Sequence, residues 1–330
     1  DYLLADGLID VSRNRWLGIL EADDRDFLVQ FSLEKDGQEP EIIYSPKDFL
    51  GYLSLSPQGN KLAWIEWQGA LMPWDSSQLW VGTFDQSGVI NKSQLLMGKN
   101  IEQEQKLISI FQPTWLETGA LVVAEDSSGW WNLMIAEEVE LGRNIEWTAI
   151  CPMEAEFAFP QWVLGMSTIA SSHQRLIALV CENGSWRMII IKKDGEIIPI
   201  DQPFDDLSGI NAKDNKVVAI SSNSVNENGL LEIDLNNGNW HHSPVRDSVI
   251  KTEQISIPQS IWFKGFNNQS TQCWYYPPLN STACAPLLVK SHSGPTGMAR
   301  IGLNLEIQFW TTRGWGVVDV NYGGSSGFGR

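Results

Sequence analysis

Basic residues are scarce in this chain. Its 330 residues carry 23 Lys and Arg against 40 Asp and Glu, for a formal net charge of −17. No extended Lys/Arg run occurs, so the clusters that neutralise phosphates are missing and a nucleic-acid partner is not expected. The excess of acid is that of a solvated surface, and it favours cationic ligands such as peptides with free amino termini. Cysteine is also sparse. Cys151, Cys181, Cys273 and Cys284 are widely spaced and fit neither a zinc site nor a dense disulfide framework. They are expected to be reduced, buried thiols of a cytoplasmic protein. No stretch approaches the ~20 apolar residues of a membrane helix. The start, "DYLLADGLIDVSRNRW", has neither the basic n-region nor the apolar h-region of a signal peptide, so no membrane partner is expected. It also lacks an initiator Met, and the expectation is of a chain that begins partway through a longer protein. Only four His are present. His241 and His242 follow the turn-like "NNGNW" with no third ligand nearby in sequence, and are read as a surface pair. The Lys-Ser/Thr of a phosphate loop and the Gly-x-Gly-x-x-Gly spacing are absent, so no cofactor is expected.

What is present is a repeat. A turn followed by a short apolar strand recurs in "SRNRWLGIL", "SPQGNKLAWIEW", "LETGALVVAED", "SSHQRLIALVCENG" and "AKDNKVVAIS". A second strand ending near a polar turn follows each: "DFLVQFSLEKDG", "SQLWVGTFDQSG", "WWNLMIAEE", "WRMIIIKKDG" and "GLLEIDLNNG". Third strands come next in "PEIIYS", "EWTAIC" and "EIIPID". With the strand before each turn, every unit has four strands, the grammar of a β-propeller blade. Five units fit before about residue 247. In "KLAWIEW", Leu62, Trp64 and Glu66 share one face and Ala63, Ile65 and Trp67 the other. Both faces are largely apolar, as a sheet packed between two others requires. The 16 Trp suit wide spaces between blades.

The rhythm changes after about residue 250. "SIPQSIWFKG" and "STQCWYYPP" read as an antiparallel pair around a "FNNQ" turn. "APLLVKSHSGPTG" reads as a buried strand running into a loop, "LNLEIQFWTTRG" as a helix ended by Gly314, and "WGVVDVNY" as another buried strand. Strand, loop, helix, strand opens an α/β sheet.

The segments from Ser56 to Gly88 and from Gln112 to Leu133, "AEFAFPQWVLGMSTIA", "HSGPTG" and the closing "GWGVVDVNYGGSSGFGR" resemble the prolyl oligopeptidase family of serine peptidases. Within it they are most similar to the bacterial dipeptidyl aminopeptidase/acylaminoacyl peptidase branch, over essentially the whole chain. The resemblance implies a mainly β fold: about five four-stranded blades of a seven-bladed propeller over residues 1–249, then the first part of an α/β-hydrolase domain over residues 250–330. It implies hydrolysis of short peptides through an acyl-enzyme, with the propeller gating access to the site.

The family nucleophile sits in a Gly-x-Ser-x-Gly elbow, and this sequence contains none. Ser325 and Ser326 stand among glycines, but neither is the centre of that motif. The catalytic triad is therefore expected downstream, and the isolated chain is expected to be inactive. The family's His-Gly-Gly-Pro loop donates a backbone N–H to the oxyanion hole. Here it reads His292-Ser293-Gly294-Pro295, so the resemblance assigns the donor role to Gly294 and a loop-holding role to His292, with Ser293 replacing a glycine. Tyr322, Gly323 and Gly324 fall on an active-site rim, Gly323 standing where many relatives carry Arg. Of the propeller acids, Glu66, Asp75, Glu125 and Asp126 are candidates to hold a substrate amino terminus, and Asp75 in "MPWD" also suits a turn cap. A non-catalytic propeller used as a binding module is the alternative. Five blades without further partners also lead to an expectation of self-association through exposed sheet faces.

Overall fold

The computed structural model describes residues 2–34, 39–98, 107–280, 284–294 and 296–330. The polar turn read at residues 35–37, and Pro295, lie outside them. Among the described residues, short alternating apolar segments punctuated by Gly, Asn and Asp turns fold into six four-stranded sheets. Five are antiparallel meanders in chain order. The first comprises β1 (Leu3–Asp10), β2 (Arg15–Ala22), β3 (Arg25–Ser32) and β4 (Glu41–Tyr44). The second comprises β5 (Phe49–Leu55), β6 (Lys61–Trp67), β7 (Gln78–Phe84) and β8 (Ile90–Met97). The third is β9 (Ile110–Trp115), β10 (Leu121–Glu125), β11 (Asn132–Ala136) and β12 (Thr148–Ala149). The fourth is β13 (Ile169–Ser172), β14 (Arg175–Glu182), β15 (Ser185–Ile191) and β16 (Ile197–Pro199). The fifth is β17 (Asp206–Lys213), β18 (Lys216–Ser222), β19 (Gly229–Asp234) and β20 (Trp240–Pro244). These are blades of a β-propeller. Their first strands meet in succession, β1 with β5, β5 with β9, β9 with β13 and β13 with β17, and no comparable contact among the described residues returns from β17 to β1.

The central strands are apolar on both faces because each blade is covered by its neighbours. All but the end residues of β6, and every residue of β10, are buried. Polar ties join successive blades. Asp6 of the first accepts from the Leu53 N–H of the second at 3.2 Å, and Trp115 Nε1 of the third donates to the Ser54 carbonyl of the second at 3.0 Å. The Gln112 carboxamide of the third accepts from the N–H of Thr168 and Ile169 (2.7 and 2.9 Å) at the edge of the fourth.

Four of the five inner strands share a device that the sequence hid. In β1, β5, β9 and β17 one extra residue is set against the second strand of the blade. At each bulge one residue takes positive φ: Asp6 (49°), Tyr52 (59°), Gln112 (47°) and Gly209 (60°). These bulges face a cavity of about 320 Å³ between the inner strands. In the first blade Trp16 lies across two glycines, and a Cβ on Gly7 or Gly18 would sit 2.0 or 1.9 Å from its ring. Gly18→Ala must therefore displace the ring, and it is expected to lower stability by about 1–3 kcal/mol. A denaturant midpoint unchanged from the parent would contradict that.

The sixth sheet is mixed. It contains β21 (Gln259–Lys264), β22 (Ser270–Tyr276), β23 (Leu287–Ser291) and β24 (Gly316–Asn321), in the order β21-β22-β24-β23. Strands β23 and β24 are parallel, and helix α1 (Leu305–Thr311) lies in the crossover between them. Its cap is Asn304, whose side chain accepts from the N–H groups of Glu306 and Ile307.

Three expectations need correction. Strand β23 is not buried: it is the sheet edge, with Leu287 and Val289 exposed. Cys284, just before that edge, is exposed, while the other three cysteines are buried. Of the pair read as surface, His241 on strand β20 is exposed opposite Glu232, but His242, opposite Leu231, is half-buried against the Phe204 ring at 4.4 Å.

Candidate active-site loops

Parallel pairing of β23 and β24 brings their carboxyl ends side by side, with Ser291 opposite Val320. The described residues of the loops that leave them, 292–294 with 296–297 and 322–330, therefore meet, in the crevice where open α/β sheets bind ligands. The rings of His292 and Tyr322 stack at 4.3 Å, tilted by 16°. The Tyr322 hydroxyl reaches the carbonyls of Gly294 and His292 (the latter at 3.2 Å) and His292 Nδ1 at 3.3 Å. His292 Nε2 lies 2.6 Å from Ser325 Oγ. The neighbouring Ser326 hydroxyl donates to the Thr296 carbonyl at 2.6 Å, and its N–H to the Gly297 carbonyl at 2.8 Å. Two side chains of one loop, Tyr322 and Ser326, thus clamp the backbone of the other, and Ser325 holds its histidine ring. Gly294 takes φ of 70°, the left-handed region in which glycine alone is unstrained. A Cβ there would still find room, at 3.5 Å from the Trp162 ring.

The His292–Ser325 contact has the spacing of a base and a nucleophile but lacks their support. Ser325 is buried. The far ring nitrogen of His292 faces the Tyr322 hydroxyl and the Ser293 carbonyl (3.3 Å each) and meets no carboxylate among the described residues. The geometry makes this pair a fastener between loops. Gly324 lines a small cavity beside it, and the nearest heavy atom to a Cβ on Gly323 would be the Gln269 side chain at 3.8 Å.

That cavity, about 180 Å³, lies between the second loop and the third blade. Its lining includes Trp74, Asp75, Asp126, Trp131, Glu156 and Pro160, facing Thr296 and Ser325. The closing residues are pinned across it. Gly329 N–H donates to Glu156 at 3.0 Å, Arg330 pairs with Asp126, and an Arg330 guanidinium N–H donates to the Asp75 carbonyl at 2.7 Å. Glu156 also accepts from the Trp131 N–H at 2.8 Å. Burial pushes its carboxyl up to about 7 against the pull of those two N–H groups, and the Asp126 carboxylate adds to the rise. Asp126 is likewise raised by burial, while the Ser109 N–H and Arg330 pull it back.

The four acids singled out in the sequence divide. Asp126 and Asp75 line the cavity, and the Asp75 carboxylate also caps its own turn by accepting from Met72 N–H at 3.2 Å. Glu66 does not reach it: it is buried between the first two blades, accepting from Tyr44 OH (2.8 Å) and Trp64 Nε1 (2.7 Å). Glu125 closes the local turn by accepting from Ser127 N–H at 2.7 Å. Glu156, Trp74, Trp131 and Arg330 were not found from sequence. Glu156 sits in "MEAEFAFP", where nothing in the spacing separates it from Glu154. A larger cleft of about 550 Å³ between the fifth and sixth sheets carries ion pairs, Arg300 with Asp206 and Lys290 with Asp319 (2.8 Å) among them. No helix of the described residues is long and apolar enough to cross a membrane.

No family model and no curated protein sequence matches the chain. Solved structures do. A puromycin-hydrolysing peptidase of Mycobacterium tuberculosis superposes with a TM-score of 0.90 at 26% identity, covering 100% of this chain and 51% of that one. A crystal structure of puromycin hydrolase gives 0.89 at 25% identity with the same coverage. Prolyl oligopeptidase B from Galerina marginata shares the fold at 0.76 and 12% identity, over 98% of this chain and 46% of that one. The chain thus spans about half the length of the structures it matches.

Proposed function

We propose that this chain, whose fold is that of the prolyl oligopeptidase family of serine peptidases, forms the access-controlling and oxyanion-side part of an exopeptidase acting on the amino end of short peptides and peptide-like amides. Residues 1–249 are read as the propeller and residues 250–330 as the opening of an α/β-hydrolase domain. One observation carries the reading. The loop holding Gly294 is clamped by Tyr322 at the carboxyl ends of two parallel strands, and beyond those loops lies a cavity lined by Asp126 and Glu156.

Each part has a chemical task. Gly294 N–H is assigned to the oxyanion that develops on the scissile carbonyl, where a fixed donor acts on the transition state more than on the substrate. Tyr322 and His292 hold that loop in place, so the donor needs no reorganisation during reaction. Carboxylates on the blade side attract the substrate ammonium and set the distance from amino end to scissile bond. The propeller admits short or unfolded peptides only. The acylated serine must come from residues outside this chain, because no Gly-x-Ser-x-Gly occurs within it.

The test starts from the coding sequence beyond Arg330. Continuation into a Gly-x-Ser-x-Gly elbow is expected, and the encoded polypeptide should hydrolyse puromycin and short peptides with free amino termini faster than their N-acetylated forms. A stop codon without an elbow, or equal rates on free and acetylated peptides, would overturn the reading.

A further inference from the structure

We propose that Asn321 is a positioning residue for the loop holding Gly294: its carboxamide grips the Ala299 N–H and so fixes where that loop ends. The proposal rests on the reading above for what the loop does in catalysis, and on geometry alone for how the loop is held.

The loop has a firm start, because Ser291 pairs with Val320 in the parallel ladder. Its other end is Ala299, which is buried but belongs to no strand or helix. Both backbone polar groups of Ala299 are nevertheless satisfied, by side chains of the sheet. Asn321 Oδ1, on the last residue of β24, accepts from the Ala299 N–H at 2.7 Å. Trp274 Nε1 of β22 donates to the Ala299 carbonyl at 3.2 Å. The fifth blade takes hold of the chain at the next residue. Arg300 pairs with Asp206 and donates to the Leu207 carbonyl at 3.1 Å, and the Leu303 N–H donates to the Asn223 carbonyl at 2.8 Å. Ala299 is thus where the polypeptide passes from sheet to propeller. With the Asn321 bond gone, Trp274 alone would hold this point to the sheet, against blade ties that begin one residue later.

The Asn321 carboxamide is oriented from both sides. Gln272 stands opposite it in the β22–β24 ladder. Gln272 Nε2 donates to the Cys273 carbonyl (3.1 Å) and to Ser260 Oγ (3.2 Å), so its Oε1 faces Asn321. A backbone carbonyl only accepts, and the Gln272 amide cannot turn round without losing that bond. Asn321 therefore presents Nδ2 to Gln272, at 2.5 Å, and keeps Oδ1 for Ala299, whose N–H only donates. Gln272, Asn321, Trp274 and Ala299 are all buried, so solvent does not replace a lost partner. A carboxylate at position 321 would still accept from Ala299 but would set an oxygen against Gln272 Oε1.

The experiment compares the parent with Asn321→Ala, Trp274→Phe and Gly18→Ala, melting temperature confirming that each is folded. In the 330-residue chain, hydrogen–deuterium exchange read by mass spectrometry should be about tenfold or more faster from Thr296 to Ala299 in Asn321→Ala. The increase should be smaller in Trp274→Phe and absent in Gly18→Ala, which loosens only the first blade. In the encoded polypeptide, Asn321→Ala should lower kcat on puromycin about tenfold or more with KM within about twofold, because a displaced donor fails the transition state more than the substrate. Trp274→Phe should lose kcat in the same way but less, and Gly18→Ala should keep it. A folded Asn321→Ala variant with unchanged exchange at these residues, with kcat within twofold of the parent, or with a raised KM in place of a lowered kcat overturns the proposal. If Asn321→Ala does not fold, Trp274→Phe decides: parental exchange and kcat there would show that holding Ala299 is without consequence. A parent polypeptide without peptidase activity would overturn the functional reading instead, and the exchange result would then decide the anchoring by itself.

Discussion

Under the proposed function, Gly294→Val in the encoded polypeptide is expected to lower kcat by about two orders of magnitude with little change in KM, the size of effect seen when one oxyanion donor is lost. Space is not the reason. The nearest atoms to an added Cβ are ring carbons of Trp162 at 3.5 and 3.7 Å. The reason is conformation: at φ of 70° a β-branched residue is strained, and relief comes from rotating the peptide whose N–H is the assigned donor. Because the loop is also fastened by Tyr322 and Ser325, global stability should barely move. Steady-state kinetics separates the cases. A variant that keeps kcat within threefold of the parent would show that Gly294 donates nothing to the transition state.

Stability of the chain is expected to fall as pH rises from about 5 to about 8, chiefly through Glu156. In the folded chain its carboxyl titrates near 7, against 4.5 for an ordinary glutamate. Between those values the folded state keeps a proton that the unfolded state has released, so the native state is favoured at the acidic end. That advantage is full below about 4.5 and gone above about 7, a difference of about 3 kcal/mol. Asp26 and Asp205, each raised by burial to about 6 from 3.8, act in the same direction over a lower window. Asp10, held low by Ser12, Arg15 and Arg13 despite its burial, acts oppositely but only at still lower pH. Melting temperature against pH should therefore slope downward across neutrality, and Glu156→Gln should flatten it. An unchanged slope in that variant would mean that the Glu156 proton is not coupled to folding.

The propeller was legible because its signal is chemical and periodic. "KLAWIEW" is apolar on both faces, and only a strand sandwiched between sheets has use for that. The β21–β22 pair, the short helix α1 and the central strand β24 followed from turn residues and runs of apolar side chains. Edge position was not legible: "LLVKS" reads as core, and its place outside β24 comes from pairing order, which composition does not encode. The inner-strand bulges were missed for a related reason. Asp6, Tyr52, Gln112 and Gly209 share a backbone conformation but no chemistry.

At the candidate site, the family-like motifs led to the loop residues, and the parallel register explains why those loops meet. They did not lead to the acids that line the cavity. Glu66 and Asp126 look alike in sequence, yet one is hydrogen-bonded between two blades and the other meets Arg330 across 204 positions. Long-range partners decide such roles, and spacing along the chain carries no record of them.

The central claim is that this chain supplies the oxyanion side of a serine peptidase site and no nucleophile, with Ser325 serving only to fasten His292. Treating the 330-residue chain with a fluorophosphonate probe and locating adducts by peptide mass spectrometry tests it directly. The account predicts no stoichiometric serine adduct, at Ser325 or elsewhere. One adduct per chain on Ser325, lost in His292→Ala, would show that the pair is a working base and nucleophile and would contradict it.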